Sequence, residues 1–563
     1  MYEWKSTEKS KMEDASITGR LAIFQEIFCK WYLEMKAPQF VKLTEPWSMY
    51  PKARALRRRI IFHAGPTNSG KTHASLECLV KARTGIYCAP LKALASQVWT
   101  RINQQVPCDL IIGDERVFPG FAEHVSCTME MTPLNEMVDV AVIDEIQLIE
   151  DKDRGWAWTR ALLGVPAREV HLCGEFRALR LVEHLLYATR EWERLEIIEH
   201  KRMVPLRLES DALTGLQGLS RGDCLVAFSR ANVFKFKQQV EEAYPTATVN
   251  VVYGGLPFAV RQAECDAYNT GIERGDFHIL VATDAIAYGL NMSIRRIIFT
   301  TLRKFNGKEM ALLSSSQILQ IAGRAGRYGL SFADSGYVTS CHPDYTAHIR
   351  NAFRSSLPSI RTAGVLPSIE ILCVYADMHP EIPNFYMLLC QYVREVSTSK
   401  YFHVCDISRS LLPIARTLQG IPLALNDIAI FCFAPLSAPG GESYKVLRRW
   451  AENHAKPPHR VVMGTELASR PLPTELPALE WRFKMIETYG WLAWRFQKTF
   501  VELEEAKLLK EEIVSAMKAV LAPGMKRSVP SHGDVHVTSA VPLNDPSEAD
   551  LQERLMRRRP EAI

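Results

Sequence analysis

Between Arg59 and about Leu206 the chain alternates short apolar runs with stretches whose apolar positions recur at helical spacing. The runs are "RIIFHAG", "TGIYCAP", "CDLIIG", "VDVAVID" and "EVHLCG". They are apolar at consecutive rather than alternate positions, which predicts strands buried on both faces. With helices between them, they predict a parallel βαβ sheet. After "KRMVPLRLES" a second series begins: "GDCLVAFS", "TVNVVYG", "FHILVAT" and "RRIIFTT". Two sheet domains in tandem follow, over residues 53–205 and 206–350.

The pattern changes on either side of this pair. Residues 15–36 place Ile17, Leu21, Phe24, Ile27, Phe28, Trp31 and Leu33 at helical spacing, so 1–52 is read as an N-terminal helical segment. Beyond Asn351 the strand signal fades. The stretch from "LPALEWRF" to "SAMKAVL" predicts long helices with an interruption near Gly490, and 351–522 is read as a mainly helical C-terminal domain. From Pro523 the chain is rich in Pro, Ser and Asp without apolar periodicity, which predicts a disordered tail over 523–563. The basic octet "KARALRRR" (52–59) is expected to be a solvated helix face rather than a nucleic-acid contact.

Composition narrows the class without choosing a function. The 563 residues are 47% hydrophobic and 23% charged, as in ordinary globular proteins. No window approaches the roughly eighteen uninterrupted apolar residues of a membrane span. The net charge of +5 is compatible with nucleic acid but does not by itself point there. The 13 cysteines include no Cys-x-x-Cys pair, which argues against a zinc module or a disulfide scaffold. The first twenty residues balance four basic with four acidic side chains, unlike an Arg-rich, acid-poor transit peptide.

Chemistry enters at the end of the first apolar run. Gly65, Pro66, Thr67, Asn68, Ser69, Gly70, Lys71 and Thr72 have the spacing of a phosphate loop, with a strand before and a helix after. Such a loop turns backbone N–H groups inward around phosphates, adds the positive end of a helix, and brings Lys71 to the β- and γ-oxygens. The Thr72 hydroxyl is then a candidate magnesium ligand, and the implied cofactors are ATP and Mg2+. "VDVAVIDEIQ" supplies the partner acids at another strand end: Asp144 for the metal and Glu145 for the attacking water. A glutamate at the water favours hydrolysis over transfer to a bound hydroxyl.

The second sheet domain has no phosphate loop, but it has "QILQIAGRAGR". Gln320, Gly323, Arg324, Gly326 and Arg327 form a spaced set expected by chance in roughly a few in ten thousand such chains. The arginines, three apart, are expected on one face of a helix. Offered across a cleft, they can complete the γ-phosphate site as arginine fingers, worth roughly 10³–10⁵ in rate. Hydrolysis then requires the domains to close.

Together, "GPTNSGKT", "DEIQ" and "QIAGRAGR" resemble motifs I, II and VI of superfamily 2 helicases. "APLKALA", "SCTMEMTP", "HLCGE", "LVAFSR" and "ATDAIAYGLNMSI" follow the order of motifs Ia, Ib, III, IV and V. Over roughly residues 45–505 the chain is similar to the mitochondrial degradosome RNA helicases (suppressor-of-Var type). "WSMYPKARALRRRIIFHAGPTNSGKT", "VVYGGLPFAVR", "GWAWTRALLG", "IRTAGVLPS" and "YGWLAWRF" carry that likeness.

The resemblance implies an α/β fold of two tandem RecA-like domains and ATP-driven 3′-to-5′ unwinding of RNA. It also implies a mitochondrial location and an exoribonuclease partner. Pro90, Leu91, Lys92, Thr128, Glu130, Ser229, Arg230 and Thr283 would line the strand channel through sequence-tolerant, salt-sensitive phosphate and sugar contacts. Trp491 and Trp494, beside Leu492 and Phe496, are expected in a core rather than stacked on bases. The chain departs from the family pattern at Phe176-Arg177 in motif III and Ala287-Tyr288 in motif V. An RNA-binding scaffold with a weak or uncoupled ATPase, and a DNA translocase, remain open as alternatives.

Overall fold

Every apolar run named above forms a strand, and all but "TVNVVYG", which lies at a sheet edge, have a strand on each side. A computed structural model describes residues 42–287, 289, 291–306, 309–436 and 441–522. The amphipathic stretch 15–36, Tyr288 and the segment from Pro523 lie outside the described residues.

The first sheet holds β1 (Arg59–Ala64), β2 (Gly85–Ala89), β3 (Cys108–Ile111), β4 (Arg116–Val117), β5 (His124–Thr128), β6 (Val138–Ile143), β7 (Ala167–Gly174) and β8 (Leu195–Glu199). Their order is β4-β3-β5-β2-β6-β7-β1-β8, parallel except for β3 against β4. The second sheet holds β9 (Leu206–Leu208), β10 (Asp223–Val226), β11 (Thr248–Val252), β12 (His278–Ala282), β13 (Arg296–Phe299) and β16 (Gly336–Ser340), in the order β11-β12-β10-β13-β16-β9 and all parallel. An antiparallel ribbon, β14 (Arg303–Phe305) with β15 (Met310–Leu312), stands apart from it. Such sheets place their functional loops at the carboxyl ends of the strands.

Five helices carry the residues that matter in these two units: α1 (Lys71–Lys81), α2 (Lys92–Asn103), α3 (Gly155–Gly164), α4 (Arg230–Ala243) and α5 (Phe258–Arg274). A sixth, α6 (Ser315–Ala322), begins with a capping box in which Ser314 and Gln317 satisfy each other's backbone N–H. The C-terminal region is mainly helical and ends in α7 (Leu476–Ala493) and α8 (Leu503–Leu521). It also contains a small parallel pair, β17 (Ala363–Val365) with β18 (Phe402–Val404), which docks on α3. The approach is close: a Cβ on Gly364 would lie 2.9 Å from the Trp156 backbone nitrogen.

Two expectations change here. Helix α7 runs through Gly490 and ends at Ala493; the glycine faces the first unit, where a Cβ would make ordinary contact with Asp114. The basic octet is only partly a solvated face: Lys52, Arg57 and Arg59 are exposed, but Arg54 and Arg58 turn inward. Arg58 is fully buried and grips Glu191 with two bonds of 2.6 and 2.8 Å, while Arg54 meets the same carboxylate at 2.8 Å. A buried carboxylate needs such bidentate partners, and the octet supplies them.

Candidate nucleotide site between the two sheets

The phosphate loop joins β1 to α1. Gly70, the residue before the helix, has φ +83, a left-handed conformation that glycine adopts without strain. The Lys71 ammonium lies over the loop and donates to the Gly65 carbonyl at 2.8 Å and the Pro66 carbonyl at 2.6 Å. Thr72 Oγ1 is 3.2 and 3.3 Å from the two carboxylate oxygens of Asp144, which follows β6. A hydroxyl and a buried carboxylate placed together suit a hard divalent cation that keeps several waters.

Asp144 is held from three sides. The fully buried Tyr87 donates its hydroxyl to Oδ2 at 2.9 Å, the Glu145 N–H donates to Oδ1 at 2.9 Å, and Trp158 Nε1 holds the backbone carbonyl at 2.9 Å. Burial, with the neighbouring Glu145 carboxylate second, pushes Asp144 up to about 6. Glu145 itself sits at φ 52, an uncommon conformation for a non-glycine residue. Gln147 restrains its carboxylate, donating from Nε2 to Glu145 Oε2, while Gln147 Oε1 accepts the Glu175 N–H at 3.2 Å. The last letter of DEIQ thus ties Glu145 to motif III.

Motif VI comes directly against this loop. Asn68, at φ 64, donates from Nδ2 to the Gly326 carbonyl at 3.0 Å and accepts the Tyr328 N–H at 3.1 Å. A Cβ on Gly323 would lie 3.0 Å from Thr67 Cβ. The arginines are not on a helix face as expected. Helix α6 ends at Ala322, and Gly326 turns left-handed at φ +62, where a Cβ would come within 2.4 Å of the Gly336 nitrogen. Arg324 and Arg327 therefore stand in the turn after α6, with the half-buried Gln320 still on the helix.

The two guanidinium groups do different things. Arg324 is buried and donates to the Ala287 carbonyl in motif V. Arg327 feels the Glu145 carboxylate of the other unit. Burial, with Arg324 and Arg202 next, pulls Arg327 down to about 9. A triphosphate would bring an anionic partner to these guanidinium groups.

Arg202, in the segment between the units, escaped the sequence reading. Its guanidinium donates to the carbonyls of Val204 at 2.7 Å, Thr67 at 2.9 Å, Gly323 at 3.0 Å and Ala325 at 2.7 Å. One side chain thereby stitches the phosphate loop to motif VI. No local spacing marks it; the only signal was a basic residue at the boundary between the two strand series.

The expected channel residues are spread over both units. Lys92 begins α2, with Leu91 as its extended N-cap residue, and pairs with Asp114 at 2.6 Å and with Glu487 of α7 at 2.8 Å. The Pro90 carbonyl accepts from Arg154, which also grips Glu130 at 2.7 Å. Thr128 is buried at the end of β5, whereas Thr283 is half-buried and its Oγ1 accepts the Ala285 N–H at 3.2 Å. Ser229 caps α4 by accepting the Asn232 N–H at 3.1 Å, and Arg230 pairs with Glu480 of α7 at 2.9 Å. Trp494 belongs to the docking of α7, donating to the Asp114 carbonyl at 3.2 Å beneath Arg116.

A phosphate loop and metal-type acid on one parallel sheet, faced by arginines from a second, make this the two-part core of a RecA-like helicase. Three family descriptions match along the chain. They are the DEXQ-box helicase domain of Suv3 over residues 46–200, the helicase conserved C-terminal domain over 210–329, and the ATP-dependent RNA helicase SUV3 C-terminal domain over 476–522. The DExH-box ATP-dependent RNA helicase DExH16, mitochondrial, of Arabidopsis thaliana is 37% identical over 472 residues, covering 83% of this chain and 81% of the relative. The ATP-dependent RNA helicase SUPV3L1, mitochondrial, is 38% identical in Gallus gallus and 37% in Homo sapiens. Each match covers 81–83% of this chain but only 58% and 60% of those longer relatives. The chain belongs to the Suv3 family of DExH-box ATP-dependent RNA helicases.

Proposed function

We propose that this chain hydrolyses ATP to move 3′ to 5′ along single-stranded RNA and unwind duplexes ahead of it, in mitochondrial RNA turnover beside an exoribonuclease. The relatives' printed names support the mitochondrial location and the RNA substrate. The observation that carries the motor reading is the zipped contact of Asn68 with Gly326 and Tyr328, which makes the nucleotide site the property of two units at once.

In this reading Lys71 and the loop N–H groups bind the β- and γ-phosphates. Thr72 and Asp144 would hold a magnesium ion, which would supply charge neutralisation at the phosphates. Glu145, oriented by Gln147, accepts the proton of the attacking water, and Arg327 meets the charge that develops on the transferred phosphoryl group. Arg324 holds the finger turn to motif V, and Gln320 links the site to α6. Lys92, Arg230, Thr283 and their neighbours contact the strand.

The test is ATP turnover by wild type and Glu145→Gln, with single-stranded RNA, with DNA of the same sequence, and with neither. Stimulation by RNA that disappears in the variant is expected, followed by unwinding of a 3′-tailed duplex in preference to a 5′-tailed one. Turnover indifferent to nucleic acid would sink the motor and leave a scaffold. Equal stimulation by DNA would remove the RNA preference, which rests on 2′-hydroxyl contacts.

A further inference from the structure

Helix α7 carries Glu480 and Glu487, whose separation is just under two turns. Both therefore project from one face, about 10 Å apart along the axis. Each meets a different sheet unit. Glu487 Oε1 accepts from Lys92 Nζ at 2.8 Å at the start of α2. Glu480 Oε2 accepts from Arg230 NH1 at 2.9 Å at the start of α4, and the Tyr253 hydroxyl donates to Glu480 Oε1 at 2.5 Å. Arg261, on α5 of the second unit, also faces the Glu487 carboxylate, and its Nε is buried without a hydrogen-bond partner. The two cations these carboxylates hold are those read above as strand contacts.

A brace between α7 and the first unit already exists beside them. Asp114, only 3% exposed, takes Lys92 at 2.6 Å and Lys510 of α8 at 2.6 Å, and Trp494 adds a bond to its backbone. Asp114 can therefore keep hold of Lys92 if Glu487 lets go. The Glu–cation pairs differ in kind from that brace. Lys92 and Arg230 are 38% and 40% exposed, so water reaches both. The carboxylates are more covered, at 23% and 14%, but each cation is open on one side to an incoming anion. A phosphate offers the same charge and the same acceptor geometry to lysine and arginine.

We propose that Glu480 and Glu487 stand where two strand phosphates bind, and that RNA enters the channel by displacing them, so that α7 is a carboxylate clasp across both units. The inference rests on the channel reading of Lys92 and Arg230. A short or singly charged anion cannot displace both carboxylates at once, whereas a polyphosphate strand does. The clasp therefore rejects small anions while costing a long strand little.

The test uses the full chain and a fluorescein-labelled oligouridylate, followed by anisotropy at fixed ionic strength, since such affinities depend on salt. Removing the competitor in Glu480→Gln with Glu487→Gln should tighten binding roughly three- to thirtyfold. The Glu480→Asp with Glu487→Asp variant keeps the charge but shortens the reach, and should tighten binding as well. Equal or weaker binding by both double variants, with Lys92→Ala and Arg230→Ala each weakening it, would overturn the clasp and leave the channel standing. If Lys92→Ala and Arg230→Ala both bind like wild type, the channel reading itself fails and the clasp goes with it.

Discussion

Arg202→Ala removes a side chain that touches the phosphate loop, motif VI and the segment joining them at once. Three of its four bonds cross between the units or their loops: to Thr67 at 2.9 Å, Gly323 at 3.0 Å and Ala325 at 2.7 Å. A hydrogen bond contributes about 0.5–1.5 kcal/mol net, and more with a charged donor. Water can reach some of the released carbonyls, so the closed arrangement should lose about 2–3 kcal/mol in all. Closure sets the arginines in place, and a loss of this size in the closed population corresponds to a fall in kcat of roughly 30- to 150-fold.

The loop, Lys71, Thr72 and Asp144 are untouched, so KM for ATP should move little. Arg202→Lys is the discriminating control. It keeps the charge, but a single ammonium cannot reproduce a planar fork that serves carbonyls on two walls, so it should recover less than half of the lost free energy. The assay is steady-state ATP turnover at saturating RNA, with the melting temperature measured on the same preparations. If Arg202→Ala keeps kcat within about twofold of wild type, closure does not depend on the stitch and the energetic reasoning is wrong.

Three further outcomes follow from the same geometry. Gln147→Ala frees the Glu145 carboxylate, and the loss of a charge-assisted bond of about 1.5–3 kcal/mol should lower kcat roughly ten- to a hundredfold with ATP binding retained; an unchanged kcat in a titration of initial rates would remove that role. Arg327→Ala should lose roughly 10³ or more in kcat with nucleotide affinity nearly intact, and a rate equal to wild type would rule out the finger. His63 is bonded to His200 at 3.0 Å and to His171 at 2.9 Å, and burial, with His171 and His200 next, pulls it from 6.5 down to about 4. The unfolded chain then binds more protons between those values, so stability is complete above pH 6.5 and declines as pH falls toward 4. His63→Phe should flatten the melting temperature across that window, and an unaltered slope would place the acid sensitivity elsewhere.

How much of this was legible beforehand follows the range of the interactions. The phosphate loop and the DEIQ acids were legible because their chemistry is local: glycine conformation, a lysine at fixed spacing, two acids at the end of an apolar strand. The strand His124–Thr128 was not legible, since "HVSCT" is half polar. It is buried only because Ser126 donates to the Ala95 carbonyl at 2.7 Å and His124 is bonded to the Leu79 carbonyl at 3.0 Å. The burial of Arg58 depends on Glu191, more than a hundred residues away in the chain. The placement of Arg324 and Arg327 in a turn depends on Gly326 packing against Gly336, a contact that spacing alone cannot register.

The C-terminal region connects the two ends of the mechanism. From Glu145 a line of bonds runs through Gln147 to the Glu175 N–H, then from the Glu175 carboxylate to Arg177 Nε at 2.6 Å, and from the Arg177 carbonyl to the Ile360 N–H at 2.9 Å. Arg177, one of the departures from the family pattern, also pairs with Glu150 and so stiffens that line. The same region sends α7 across the mouths of both units, with Glu487 on Lys92 and Glu480 on Arg230. A helix does not stretch, and a bond of 2.8–2.9 Å is lost beyond roughly 3.5 Å. An opening of the cleft larger than the flexible Lys92 and Arg230 side chains can follow would therefore strain one of the two pairs more than the other. In the strand-free chain, α7 thus ties the opening of the cleft to the release of Lys92 or Arg230, the two cations a strand must find free.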